Sequence, residues 1–495
     1  MSETKGRGLL ESVLQHPDDD AKRLIYADWL EEEGDAERAE FIRVQIEQAQ
    51  LPEWDSRRVR LEIRADQLIQ KNGNEWKAEL PQIPGITWGM FRRGFIATAI
   101  FSNMAVFRKE REACWDAAPI EAVKTRWPRG SEAIERTEPI PGLRELSIQK
   151  NLVALPEVER LADAPLLTTL RVLNLPKCSL GPEGFQRLVL SPHLGHLTTL
   201  GVPHNSIGNT GVAALLRAPS LTNLEELDLS ESGSWSRYAE DPIMDTAGVK
   251  ALVAWKGMPK LRSLKLSGNN VKREGVQALL RSPNTRGLRK LYLRDNDLDG
   301  QVMQEFGSAH QDLRLDVLDL GENWLQTLGM ADLRRANCLA ELKVLEIDRC
   351  EMDLSAAHEL AKAPFLDSLR KLNVNENSFG PDGLMVLLEA SPRHLHTLQL
   401  DNNNLGDEGL GRLGLSPSSN TLLKLDLSTN QVKAPGTKAL ASSKHLQNLM
   451  CLRLQYNHIG QDGVAVLKKS PLGKRLAFLD VKDQWFPEDE SSIPF

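Results

Sequence analysis

Little in this chain supports a covalent framework or a membrane span. Five cysteines in 495 residues, at 114, 178, 338, 350 and 451, are too few and too scattered for a disulfide scaffold or CxxC metal spacing. They suit a reducing compartment, so a cytoplasmic location is expected. No apolar run approaches the roughly 18 residues of a transmembrane helix, and MSETKGRGLLESVLQH has no apolar signal-peptide core. Basic charge is not in excess: 61 Lys and Arg against 68 Asp and Glu give 61 − 68 = −7. That balance speaks against a general nucleic-acid or anionic-membrane binder. Aromatics are only 5 %, yet hydrophobic residues reach 41 %, an ordinary globular composition.

What is present is a repeat. The pattern L-x-x-L-x-L-x-x-N begins at Leu143, Leu170, Leu197, Leu224, Leu261, Leu288, Leu315, Leu342, Leu369, Leu395, Leu422, Leu449 and Leu476. These thirteen units are 27 residues apart, except for one step of 26 and one of 37. Each has two periodicities. In LRKLNVNEN (369–377), Leu372 and Val374 alternate as in a short strand. In PDGLMVLLEASP (381–392), Leu384, Leu387 and Leu388 have helical spacing, and Pro392 ends the run. Gly383 stands at helix entry, with equivalents at Gly184, Gly211, Gly248, Gly275, Gly329, Gly409, Gly436 and Gly463. This predicts close packing of the helix start on the strand layer. The last pattern position is Asn in nine units, Cys at 178 and 350, Ser at 232 and Gln at 484. A buried amide there is expected to satisfy backbone groups of a neighbouring unit. That reading gives Cys178 and Cys350 structural roles.

These residues resemble the leucine-rich-repeat family in its longer strand–helix form, shared by ribonuclease inhibitors and Ran GTPase-activating proteins. The resemblance implies an α/β fold: a curved solenoid with a parallel concave sheet and outer helices, plus a small helical N-terminal domain. The N-terminal string PDDDAKRLIYADWLEEEGDAERAEFIRVQ (17–45) resembles the repeat-companion domain of planctomycete-type bacteria. That implies a bacterial, intracellular repeat protein and carries no activity with it. The expected organisation is a helical companion domain at 1–54, a linker helix and irregular cap units at 55–142, repeats at 143–486 and a tail at 487–495. Within 55–142, DSRRVRLEIRADQLIQK reads as a helix, NEWKAELPQIPG as a connector and GFIATAIF as a strand.

No phosphate loop, HExxH, GxSxG or GxGxxG in strand–helix context occurs. No catalytic, cofactor-binding or metal residue is assigned. Asp18 to Asp20 read as a helix cap, and His394 with His396 as solvent-facing residues. What remains is the outward face of the strands. Asp319, Glu322, Glu346, Asp348 and Glu376 gather on adjacent units near Tyr292, with Lys343, Arg349 and Arg370 beside them. The 37-residue unit carries an insertion within 230–245 containing Trp235, Arg237 and Tyr238, residue types that anchor interfaces. The resulting expectation is a non-enzymatic scaffold that binds a basic protein segment on its concave face, without nucleic acid, membrane or cofactor. The alternatives are a GTPase activator of the Ran-activating class and an inhibitor of a basic enzyme. The sequence leaves the oligomeric state open.

Overall fold

A short strand cannot stand alone, so each repeat must lean on the next. The computed structural model describes residues 2–126, 137–149, 155–232, 244–482 and 484. It divides into two compact units, one of residues 1–244 with 254–261 and one of 245–253 with 262–495. In the first, the strands Ile86–Trp88, Thr98–Phe101, Ala122–Arg126, Glu145–Gln149, Val172–Asn174, Thr199–Gly201 and Glu226–Asp228 lie side by side in that order. The first pair is antiparallel and the others are parallel. The second unit has nine parallel strands, from Ser263–Lys265 to Phe478–Asp480. Each parallel connection needs a crossover, and a helix or helical turn supplies it in every repeat.

The register is the one the leucine spacing predicts. Leu146, Leu173, Leu200 and Leu227 are successive partners in the first unit. In the second, Leu264, Leu291, Leu318, Leu345, Leu372, Leu398, Leu425, Leu452 and Leu479 are partners, including the 26-residue step from 372 to 398. Their side chains enter a continuous core: Leu318, Leu345 and Leu452 are fully buried, and Leu398 is 2 % exposed.

The terminal asparagine acts in both directions. Asn430 Nδ2 donates to Leu400 O at 2.7 Å, and its Oδ1 accepts from the amides of Asn403 and Leu405 at 2.9 and 3.2 Å. Asn205, Asn323, Asn377 and Asn457 repeat this arrangement. Thiols serve in the variant positions: Cys178 donates to Ile148 O and Cys350 to Leu320 O, each at 3.3 Å. Burial pushes both thiols up to about 12, which removes them from thiolate chemistry. Residues flanking these positions adopt φ near +50°, among them Asp295, Glu322, Arg349, Glu376, Asn402 and Thr429. Because the conformation recurs in unit after unit, it belongs to the turn and is not local strain at a site.

Two expectations need correction. The helix-entry glycines do not meet the strand layer. A Cβ at Gly211 would lie 3.2 Å from Pro182 Cα, one at Gly275 3.6 Å from Thr246 Cα, and one at Gly463 3.2 Å from Ala434 Cα. The close approach is helix start to helix start in consecutive repeats. The fourth N-terminal helix runs Ser56–Ala78 and takes in NEWKA, because Trp76 is buried against Phe41 at 4.8 Å between ring centroids. The insertion residues Trp235, Arg237 and Tyr238 lie outside the described residues.

Asn430→Ala leaves buried donors and acceptors in the turns of two repeats without partners, and should destabilise by roughly 2–4 kcal/mol. Asn430→Cys should cost less, since a thiol holds the position at 178 and 350. Leu398→Asp places a carboxylate in the core and should be more damaging than either. Denaturant midpoints of the second-unit transition measure the order; equal midpoints for the Ala and Cys variants would refute the bridging role.

Candidate protein-binding face

On a strand of this register, the residues beside each core leucine face away from the helices. In the second unit they bring the sequence-predicted acids together, but as members of an ion-pair network. Its hub is Arg294, which the sequence reading missed. Its Nη1 and Nη2 lie 2.7 and 2.5 Å from the two Asp348 oxygens, Nε 3.3 Å from Asp319, and Nη1 3.0 Å from Glu322. Arg349 joins Glu376 at 2.6 Å and Glu322 at 3.5 Å. Lys371 holds Glu346 at 2.7 Å, and Asn373 Nδ2 bridges Glu346 and Asp348 at 2.9 Å each. Lys343 and Arg370 make none of these ion pairs among the described residues. The signal for Arg294 was its place two residues before Asn296, equivalent to Asp348 before Cys350.

Burial and charge act unequally here. Asp319 is 8 % exposed. Desolvation pushes its carboxyl up to about 6, against the pull of Arg294 and the amide of Gly321. Arg294 is held more firmly protonated, chiefly by its hydrogen bonds to Asp348. The bidentate pair goes to Asp348, and Asp319 receives a single longer contact. Asp319 is thus a packed part of the face, and Glu322 and Glu376 are its accessible acids, with side chains 39 and 35 % exposed. Tyr292 is half-buried beside Lys265, whose Nζ lies 5.8 Å from the ring centroid. Trp324, also missed by sequence reasoning, is 59 % exposed on the turn after Asn323.

His396 is not solvent-facing, as expected from sequence, but buried. Its Nδ1 lies 3.0 Å from Thr397 Oγ1, and burial with Arg370 and Lys424 pushes it down to about 4. It stays neutral at physiological pH, while His394 is exposed. Asp19 caps its helix through the Ala21 amide at 2.9 Å, and Asp18 and Asp20 face Arg93 and Arg144. Among the described residues no group of three or more His, Cys, Asp or Glu is placed to hold a metal ion, and no helix is long and apolar enough to cross a membrane.

A folded-state pKa above the unfolded value means that the native state binds the proton more tightly. The Asp319 contribution to stability should therefore fall as pH rises from about 4 to about 6 and stay level above. The carboxyl resonance of Asp319 should titrate near 6, and Arg294→Gln should move the midpoint higher, because a lowering charge is removed. A midpoint in the ordinary aspartate range would show that the carboxylate is solvated.

The Leucine Rich repeat family model matches residues 257–280, 367–388, 391–414, 418–441 and 445–468. Ribonuclease inhibitor of Sus scrofa is 26 % identical over 247 residues, which cover 42 % of this chain and 54 % of that protein. NACHT, LRR and PYD domains-containing protein 5 of Homo sapiens is 30 % identical over 246 residues, covering 41 % of this chain and 20 % of that one. The chain thus spans about half the length of the first relative and a fifth of the second. A solved internalin from Listeria monocytogenes is 18 % identical, with a TM-score of 0.39 over 77 % of this chain and 94 % of that one. The matched segments fall in register with the strand–helix units, and the chain carries leucine-rich repeats folded as an α/β solenoid.

Proposed function

We propose that the chain is a non-enzymatic, cytoplasmic protein-interaction scaffold whose partner docks on the open face of the repeat sheet between Tyr292 and Glu376. The observation that carries this is the pre-set charge network. Asp319, Glu322, Glu346, Asp348 and Glu376 are five acids, and Arg294, Arg349 and Lys371 are three cations, an excess of two negative charges. Strands ~4.8 Å apart fix these charges relative to one another, so little side-chain ordering remains when a partner binds. Such a field favours a basic partner segment and speeds encounter with it. Trp324 supplies the exposed aromatic type that carries interface affinity. The relative named ribonuclease inhibitor supports one form of this reading, in which the partner is a basic enzyme and binding blocks it.

Glu322→Gln with Glu376→Gln leaves Arg294 and Asp348 intact and should preserve the fold. It should slow association with the partner several-fold and flatten its salt dependence, whereas Trp324→Ala should mainly speed dissociation. Affinity capture with the wild-type chain at low salt identifies the partner, and surface-based kinetics of that protein measure both effects. An unchanged on-rate and salt slope in the double amide variant would remove the acidic face from the binding site. Stimulated GTP hydrolysis by a captured GTPase would favour the activator reading instead.

A further inference from the structure

The N-terminal helices bury two arginines whose contacts reach beyond the three helices, although Arg23 Nη2 also donates to Pro17 O at 2.8 Å. Arg23 is 1 % and Arg38 8 % exposed, and an unneutralised buried guanidinium is costly. Their surroundings explain them. Phe91–Arg92 and Phe95–Ile96 form a two-stranded hairpin whose turn, Arg93–Gly94, has φ of +50° and +86°. Two successive positive φ values are what a tight two-residue hairpin turn demands. Such a turn leaves backbone groups at its apex unpaired, and the helices take two of them. Arg23 Nη1 donates to Arg93 O at 3.2 Å, and Gln45 Oε1 accepts from Gly94 N at 2.8 Å. Arg38 then fills the space between the hairpin's two phenylalanines and the helices, 5.3 Å from the Phe91 centroid, 5.9 Å from Phe95 and 4.6 Å from Trp76. Tyr26 packs on Phe95 at 5.7 Å and Phe41 edge-on to Phe91 at 5.2 Å. The fit at the apex excludes any side chain, since a Cβ on Gly94 would stand 2.7 Å from Ile42 Cα.

We propose that the helices Ser2–Gln15, Asp20–Glu32 and Ala36–Gln50 form a hairpin-recognition module. Its ligand class is a β-hairpin of the form Phe–x–Arg–Gly–Phe, and its occupant in this chain is the hairpin Phe91–Ile96. The module reads backbone at the turn and aromatic rings on the strands, and Asp18 and Asp20 also meet the Arg93 guanidinium at 3.8 and 3.4 Å, so of the two arginine side chains only that of Arg92 lies outside the recognition. Arg92 and Arg93 serve a second purpose, reaching Glu145 and Glu121 at 2.8 and 2.7 Å. Through them the hairpin is tied to the first parallel strands, which it enters directly at Thr98. Occupancy of the module therefore holds the first strands of the sheet in place, and this task is independent of the partner face on the second unit.

The test uses the full-length chain and hydrogen exchange. Gly94→Ala introduces both the collision and a disfavoured φ, and Gln45→Ala removes one hydrogen bond as a milder change. Both should speed exchange in residues 20–50 and 86–101, by about tenfold or more for Gly94→Ala, because the docked segments open as one cooperative piece. Strands from Lys371–Asn373 onward should keep their protection. A cyclised peptide of residues 90–97, added to the Gly94→Ala chain, should restore protection in 20–50, and the same peptide carrying Gly94→Ala should not. Undisturbed protection in the Gly94→Ala chain, loss of protection throughout the second unit, or failure of the native peptide to restore it would each overturn the proposal.

Discussion

The buried amide at the end of each strand is the contact on which the repeats depend. A three-residue strand makes too few ladder hydrogen bonds to fix its own path, and the chain must leave it through a turn with backbone groups pointing inward. Asn377, Asn403, Asn430 and Asn457 satisfy those groups in the unit behind. One side chain thereby does three things: it pairs buried carbonyls, it pairs buried amides, and it locks the spacing between neighbouring turns. Where asparagine is replaced, the substitute still hydrogen-bonds. Gln484 reaches Leu454 O at 2.7 Å with its longer side chain.

The outward surface inherits its order from that contact. Glu322, Arg349 and Glu376 each precede the terminal position and each adopt a left-handed backbone conformation. Their side chains are therefore presented from equivalent points on consecutive turns, and ion pairs can run from one repeat to the next. Arg294 spans further: its bonds to Asp319 and Asp348 cross two strands. Fixed charges at fixed spacing make a docking surface that needs little rearrangement, and the same crowding strips water from Asp319.

Packing of the helices follows a second constraint, the absence of a side chain at helix entry. Consecutive helix starts approach to within a Cβ's width, which keeps the helical layer in step with strands that are closer together than helices normally pack. The N-terminal part uses a different device. There aromatic rings and buried guanidinium groups hold a hairpin, and a glycine at the turn apex is required for contact with Ile42.

The sequence by itself determined the repeat, its strand register and the structural role of the terminal asparagines and cysteines, because those rest on periodic burial and on hydrogen bonds that every unit makes alike. It also marked the N-terminal part as helical, with a cap among Asp18 to Asp20 that Asp19 supplies, because such a cap is local. The tertiary structure decided what depends on neighbours. Arg294 became the hub of the face because two acids from later repeats converge on it; its place two residues before Asn296 marks an outward position, but not the partners 25 and 54 positions away. His396 became a neutral ring because the packed repeats bury it, and the nearby charges of Arg370 and Lys424 add to that effect. The same distance hid the reason for Arg23, Arg38 and Gln45. Their partners are a backbone carbonyl, a set of rings and a backbone amide in a hairpin some fifty or more residues onward, and only the folded chain brings them together.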